Sequence, residues 1–213
     1  MDQLESGGWN YTIFQGRLPL GIILIHEIKG IDEYALSVGK KLSNEGYWTI
    51  LPDLFRGKTA STLEEGRKIR DALTKEQVLE AMSGGRELLK KRIGDRRIGT
   101  MGFCMGGGFA LLGACNMEID FCVDYYGMLE DAKDLVGLVG PVQLMLGSED
   151  KHVTPWALAN MLPAMVEHRK RLDVHLYPNA GHAFHRPDWP GHEPIAAKDA
   201  WRKTLLFIRE RLE

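Results

Sequence analysis

Two rhythms of apolar residues alternate along the chain: short continuous runs, and stretches with apolar positions three or four residues apart. The run "GIILIH" (Gly21 to His26) predicts a strand buried on both faces. Before it, "WNYTIFQG" (Trp9 to Gly16) predicts an opening edge strand. From Ile31, the apolar residues Tyr34, Ala35, Val38 and Leu42 fall at helical spacing, and Gly46 closes that helix. "YWTILP" (Tyr47 to Pro52) predicts the next strand, and residues 63–92 a helix interrupted near Thr74. "RRIGTMGF" predicts a strand leading into a helix over 104–115, and "DFCVDYYG" and "PVQLMLG" two more strands. Thr154 and Pro155 suit the N-cap and first residue of a helix reaching about Arg169. "LDVHLYP" is the last expected strand, and a closing helix is expected to bury Trp201, Leu205, Ile208 and Leu212.

Strands that alternate with helices imply an α/β fold with a mostly parallel sheet covered on both faces. No repeat or low-complexity tract interrupts the 213 residues, so a single domain over 1–213 is expected. Hydrophobic residues make up 44% and charged residues 26%, the balance of an ordinary globular protein. A formal net charge of −2 argues against nucleic acid or an anionic membrane as partner. The longest apolar runs are too short to span a bilayer, and the acidic start "MDQLESGGWN" is unlike a secretory leader. The expected compartment is therefore cytoplasmic. There Cys104, Cys115 and Cys122 should be free thiols rather than a disulfide framework.

Parallel sheets bind ligands beyond the carboxyl ends of their strands. Four reactive residues follow expected strand ends: Glu27, Cys104, Asp150 and His182. "GFCMG" has the G-x-S-x-G form with cysteine in the serine position, and Gly102 and Gly106 clear space for a sharp strand-to-helix turn. A helix start beyond the sulfur favours a thiolate. The Met105 N–H is the first expected oxyanion donor and the Ile28 N–H the second. A cysteine nucleophile needs a base and the base an orienter. His182 in "NAGHAF" and Asp150 in "GSEDKHVTP" supply them in the chain order of this nucleophile-elbow pattern, with Glu149 as rival orienter. Cys115 and Cys122 read as small buried hydrophobes.

The glycines at 102, 106, 107 and 108 do not space as a dinucleotide-binding loop, and no P-loop Lys-Ser/Thr follows them. His182, His185 and His192 match no standard ligand set, so neither metal nor cofactor is expected. The remaining rival is a non-catalytic ligand-binding or thiol redox-sensing relative that uses Cys104 only as a reactive thiol. Only residues 53–75 could cap the site, so an open cleft and a small substrate are expected. Phe55, Tyr126, Trp156, Phe184 and Trp189 are candidates for its walls.

"HEIKG", "LPDLFRG", "GFCMGGG", "YYG", "GSEDKHVTP" and "AGHAFHR" occur in the order found in the dienelactone hydrolase family, and from Trp9 onward the chain resembles it. The resemblance implies an α/β-hydrolase fold and cleavage of a small ester or lactone through Cys104, His182 and Asp150, by way of a thioacyl-enzyme. Glu27 resembles the family's extra glutamate. Beside the thiol it would keep Cys104 protonated at rest and take its proton when substrate arrives. Arg186 matches one of two arginines that hold a substrate carboxylate in the family. Leu63 falls near the second position, with Arg67 and Arg70 one or two turns along; Arg67 is the substrate-binding candidate. This departure leaves dienelactone, another carboxylated ester and a neutral ester all open. A monomer or a homodimer is expected.

Overall fold

A computed structural model describes residues 1–212; Glu213, the last residue of the expected domain, lies outside them. Eight strands form one sheet: β1 (Asp2–Ser6), β2 (Trp9–Phe14), β3 (Leu20–Ile25), β4 (Trp48–Pro52), β5 (Arg97–Phe103), β6 (Phe121–Tyr125), β7 (Val142–Gly147) and β8 (Leu172–Tyr177). Their order is β1-β2-β4-β3-β5-β6-β7-β8. The pairings β1/β2 and β2/β4 are antiparallel and the rest parallel.

The helices are α1 (Glu33–Asn44), α2 (Leu63–Asp71), α3 (Lys75–Ile93), α4 (Met105–Asn116), α5 (Val153–Trp156), α6 (Leu162–Glu167) and α7 (Pro194–Arg209), with a 3₁₀ turn at Ala132–Gly137. They divide between the two faces. Ile23 and Ile25 of β3 pack with Val78 and Met82 of α3 and Leu111 of α4. Ile22 and Leu24 turn the other way, towards Val38 and Leu42 of α1 and Ile208 of α7. That alternation is why "GIILIH" is apolar without a break.

Four expectations need correction. The Trp9 strand is not the edge: the polar segment β1 pairs outside it, through a Gly7–Gly8 turn with both φ angles positive (61° and 75°). Only Leu4 of β1 leans on the core, so periodicity gives no signal there. Thr154 is not an N-cap. The helix begins at Val153, whose N–H donates to Asp150 Oδ1 (2.9 Å), while Thr154 Oγ1 donates to the Gly147 carbonyl (2.7 Å). The helical stretch ends at Glu167 and widens into a π turn over Ala157–Met161, next to Pro163, which lacks an N–H for the regular ladder. Finally, α7 buries Ala200, Thr204, Phe207 and Ile208; Trp201 and Leu205 are only half-buried, and Leu212 lies past the helix end.

The break expected near Thr74 is the N-cap of α3. Thr74 Oγ1 accepts from the Gln77 N–H (3.2 Å), and Gln77 Oε1 accepts from the Thr74 N–H (3.1 Å). Thr74→Ala should lower unfolding free energy by about 1 kcal/mol in urea titrations while leaving turnover unchanged.

Candidate active site

Cys104 sits between β5 and α4 with φ 53° and ψ −120°, a backbone conformation unfavourable for any residue with a Cβ. The turn is held by the Cys104 N–H donating to the Tyr125 carbonyl (2.9 Å) and the Gly108 N–H to the Cys104 carbonyl (3.2 Å). A Cβ on Gly102 would fall on the Gly106 carbonyl, and one on Gly106 would meet the Ile25 and His26 carbonyls. The sharp turn therefore depends on both glycines.

The loops after β7 and β8 are stitched together. The Ser148 N–H donates to the Tyr177 carbonyl and the Glu149 N–H to the Ala180 carbonyl, both at 2.9 Å. Ser148 Oγ accepts from the Asn179 N–H (3.1 Å). This brings His182 Nδ1 to 2.7 Å from Asp150 Oδ2 and His182 Nε2 to 3.0 Å from Cys104 Sγ. Asp150 is buried behind the imidazole, and its other oxygen accepts from the His152 and Val153 N–H groups. Glu149, the rival orienter, is exposed. Burial alone would push the Asp150 carboxyl up, but the bonds from His182 and the two amides hold it below its ordinary value. Burial likewise opposes charge on His182, yet Asp150 and Cys104 outweigh it and raise the imidazole to about 10.

Glu27 is buried just past β3. Its Oε2 accepts from Arg186 Nη1 (2.7 Å), while its Oε1 is buried without a hydrogen-bond partner among the described residues. Arg186 is also buried. Its Nη2 donates to Asp32 Oδ2 (2.6 Å), and its Nε lies 2.8 Å from Asp188 Oδ1. One guanidinium thus faces three carboxylates. Burial pushes the Glu27 carboxyl up against the pull of Arg186.

The sulfur opens onto a cavity of about 530 Å³. Glu27, Ile28, Cys104, Met105, Tyr126, His182, Arg186 and Arg67 all reach its wall. Tyr126 does so from a left-handed backbone (φ 43°), with its ring centroid 5.3 Å from that of His182. Trp189 also lines the cavity. Three aromatic candidates do not. Trp156 packs against the core on the α3 side, and Phe55 and Phe184 are buried in the core, Phe184 against Tyr125 and Tyr177. Each occurs in an element near the site, but its direction is set by packing that a linear pattern does not encode. His152, Phe109 and Met128 were missed and line the cavity. Phe109 lies one helical turn beyond Met105, a spacing that could have pointed to it.

Helix α2 forms one rim, contributing Leu63, Arg67 and Arg70. Its single buried residue, Gly66, rests on the Ile28 carbonyl so closely that a Cβ would overlap it. Arg70 pairs with Asp71, whereas exposed Arg67 has no ion pair among the described residues. His185 is buried with its Nδ1 2.7 Å from the Tyr34 hydroxyl, and burial pulls it down to about 3. Among the described residues no three His, Cys, Asp or Glu side chains cluster as a metal site. No described helix is long and apolar enough to cross a membrane.

Residues 14–212 match the sequence profile of the dienelactone hydrolase family. The chain belongs to the dienelactone hydrolase family. Among curated relatives of this family, a Bradyrhizobium protein named "Probable 2-oxo-3-(5-oxofuran-2-ylidene)propanoate lactonase" is 31% identical, covering 94% of this chain and 87% of its own. A "Putative carboxymethylenebutenolidase" of Saccharolobus solfataricus is 26% identical, covering 89% of each chain. The crystal structure of a "Putative Dienelactone Hydrolase" from Klebsiella pneumoniae superposes with a TM-score of 0.83 at 24% identity, covering 93% of this chain and 91% of that one. The α/β-hydrolase fold expected for a dienelactone hydrolase is the fold observed.

The raised His182 value has a readable consequence. Its imidazole C–H resonances should keep their charged-form positions through about pH 8 and titrate only towards pH 10. Any stability that this charge contributes is complete below about pH 6.5, the unfolded value, and is lost as pH climbs through the folded value. Asp150→Asn should bring the titration down; an unchanged midpoint would remove Asp150 as the cause.

Proposed function

We propose that this carboxylic ester hydrolase cleaves a small ester or lactone through a thioacyl-enzyme formed on Cys104. The observation that carries the reading is the continuous chain from Asp150 through His182 to Cys104 Sγ, ending at the cavity floor. In the first step the sulfur attacks the carbonyl carbon, and the oxygen becomes an oxyanion facing the N–H groups of Met105 and Ile28. As the carbon–oxygen bond to the leaving group breaks, the leaving oxygen takes the proton from His182 Nε2. Water then gives its proton to His182, attacks the thioester and releases the acid and the thiol. Asp150 holds the imidazole in register throughout. In a lactone the leaving oxygen stays attached to the acyl group, so one ring-opened product leaves.

Glu27 on Arg186 and Cys104 on His182 is the partner arrangement of the armed nucleophile. The unpartnered Glu27 Oε1 is the atom available to pair with the resting thiol and to take its proton when substrate arrives. This changes the part expected of Arg186. With Glu27, Asp32 and Asp188 around it, the guanidinium holds Glu27 in place rather than a substrate carboxylate. Arg67, exposed at the rim without an ion pair among the described residues, is the group left to bind a carboxylate bidentately. The names of the relatives agree with an unsaturated lactone carrying a carboxylate.

A panel of esters and lactones, with and without a carboxylate, tests this. Cys104→Ala should lose at least about 10³-fold in kcat on every member, and parent-like turnover would overturn the mechanism. Asp150→Asn should lose about 10⁴-fold, while Glu149→Gln should match the parent. Arg67→Ala should raise KM about tenfold or more on carboxylated members alone, the loss of one charge-assisted contact. An equal effect across the panel would remove Arg67 from substrate recognition.

A further inference from the structure

The two edges of the sheet differ. The outer strand β1 is polar and short, with Asp2, Gln3 and Glu5 exposed, which is how proteins discourage edge pairing. Strand β8, at the other edge, leaves Val174 36% and Leu176 52% exposed and contains no lysine or proline. Its carbonyls at Arg171 and Tyr177 accept from the N–H groups of Val142 and Ser148, so odd-numbered residues turn their peptide groups towards β7. The alternation of a parallel strand then turns the N–H and C=O groups of Leu172, Val174 and Leu176 outward, away from the sheet. Among the described residues none of these groups has a partner.

We propose that this edge is a homodimer interface, in which β8 pairs antiparallel with β8 of a second copy and the two sheets become continuous. The sequence of the strand selects the register. A two-fold axis perpendicular to the sheet requires directly opposed residues to share a face, so the axis must pass through a residue and not between residues. At Asp173 it would set two carboxylates opposite each other. At His175 it would set Pro178, which has no N–H, opposite Leu172. At Val174 it pairs Val174 with its own copy, Leu172 with Leu176, and Asp173 with His175. Every outward peptide group is then used, with two bonds in each pair. Apolar residues meet on one face, and on the other a carboxylate meets an imidazole able to hydrogen-bond it.

The occupant follows from this self-complementarity, since the strand matches its own reversed copy in backbone hydrogen bonding, hydrophobicity and polar side-chain pairing. The faces beside it extend the contact. Leu172 packs against the core cluster that includes Met161 and Met165, and the 153–167 helical stretch also exposes Leu158 and Val166. On the other side Tyr177 donates to Asp199 of α7 (3.2 Å), and that helix exposes Leu206. A strand pair alone falls short of the roughly 1,200 Å² that stable interfaces bury, so these flanks are part of the proposal. The site lies at the carboxyl ends of the strands, and the dimer leaves it open.

Sedimentation velocity on the intact protein over a dilution series tests the proposal. The parent should show a dimer that dissociates on dilution. Val174→Lys places two ammonium groups across the axis and should keep the protein at monomer mass at all concentrations, with circular dichroism and aryl-ester turnover as checks that it is folded. Val174→Cys should form a disulfide-linked dimer on a non-reducing gel under mild oxidation. Opposed Cα atoms in a hydrogen-bonded pair lie about 5.5 Å apart, within disulfide reach. A parent that stays monomeric throughout, a Val174→Lys dimer as tight as the parent's, or a Val174→Cys protein cross-linking no more than the parent would each overturn it.

Discussion

Asp150 serves two structures at once. One carboxylate oxygen ties down the amides that open the 153–167 helical stretch, and the other fixes the tautomer and direction of His182. Because the carboxylate is buried, neither bond competes strongly with water, and each is stronger than it would be at the surface. The loop after β7, the loop after β8 and the start of a helix therefore share one electrostatic anchor. The imidazole they hold bridges that anchor to the Cys104 sulfur in the turn just past β5. Losing the carboxylate would release a helix terminus and a histidine together.

A second charge cluster, built around the buried Arg186 and Glu27, lies on the other side of the cavity and works differently. Arg186 faces Glu27, Asp32 and Asp188, so the local sum is negative unless a carboxyl is protonated. A buried ion pair such as Arg186–Glu27 recovers little more than the desolvation it costs. Their use here is positional. Asp32 also accepts from the Ala35 N–H at the start of α1, which ties the guanidinium to the end of a helix and, through it, Glu27 to the floor of the cavity.

Much of this was legible in the chain. The strands buried on both faces and the glycine frame around Cys104 follow from local pattern, because sterics and periodicity act over a few residues. Cys104, His182 and Asp150 were found from strand ends and chain order, and the structure brings them together. What failed has a common cause. Strand β1 has almost no buried face, so periodicity had nothing to report. Phe184 and Trp156 are turned into the core by tertiary packing, Phe184 against Tyr125 as well as the nearer Tyr177. Nor could the chain show the ion pairs around cavity-lining Arg186, because Asp32 lies more than a hundred residues upstream and no spacing rule joins them. The start of the 153–167 helical stretch was misplaced because Asp150 serves both helix and histidine, while Thr154 turns back to β7.

Helix α2 stands apart from the core: it offers three side chains to the cavity rim and buries only Gly66, against the Ile28 carbonyl. The outward positions of that helix can therefore change with little effect on folding, and ligand preference can drift there while the sulfur and imidazole stay put. Position 66 has no such freedom. A methyl group at that point would press on the Ile28 peptide, so the docking of a peripheral helix and the shape of the cavity wall at Ile28 are mechanically one degree of freedom.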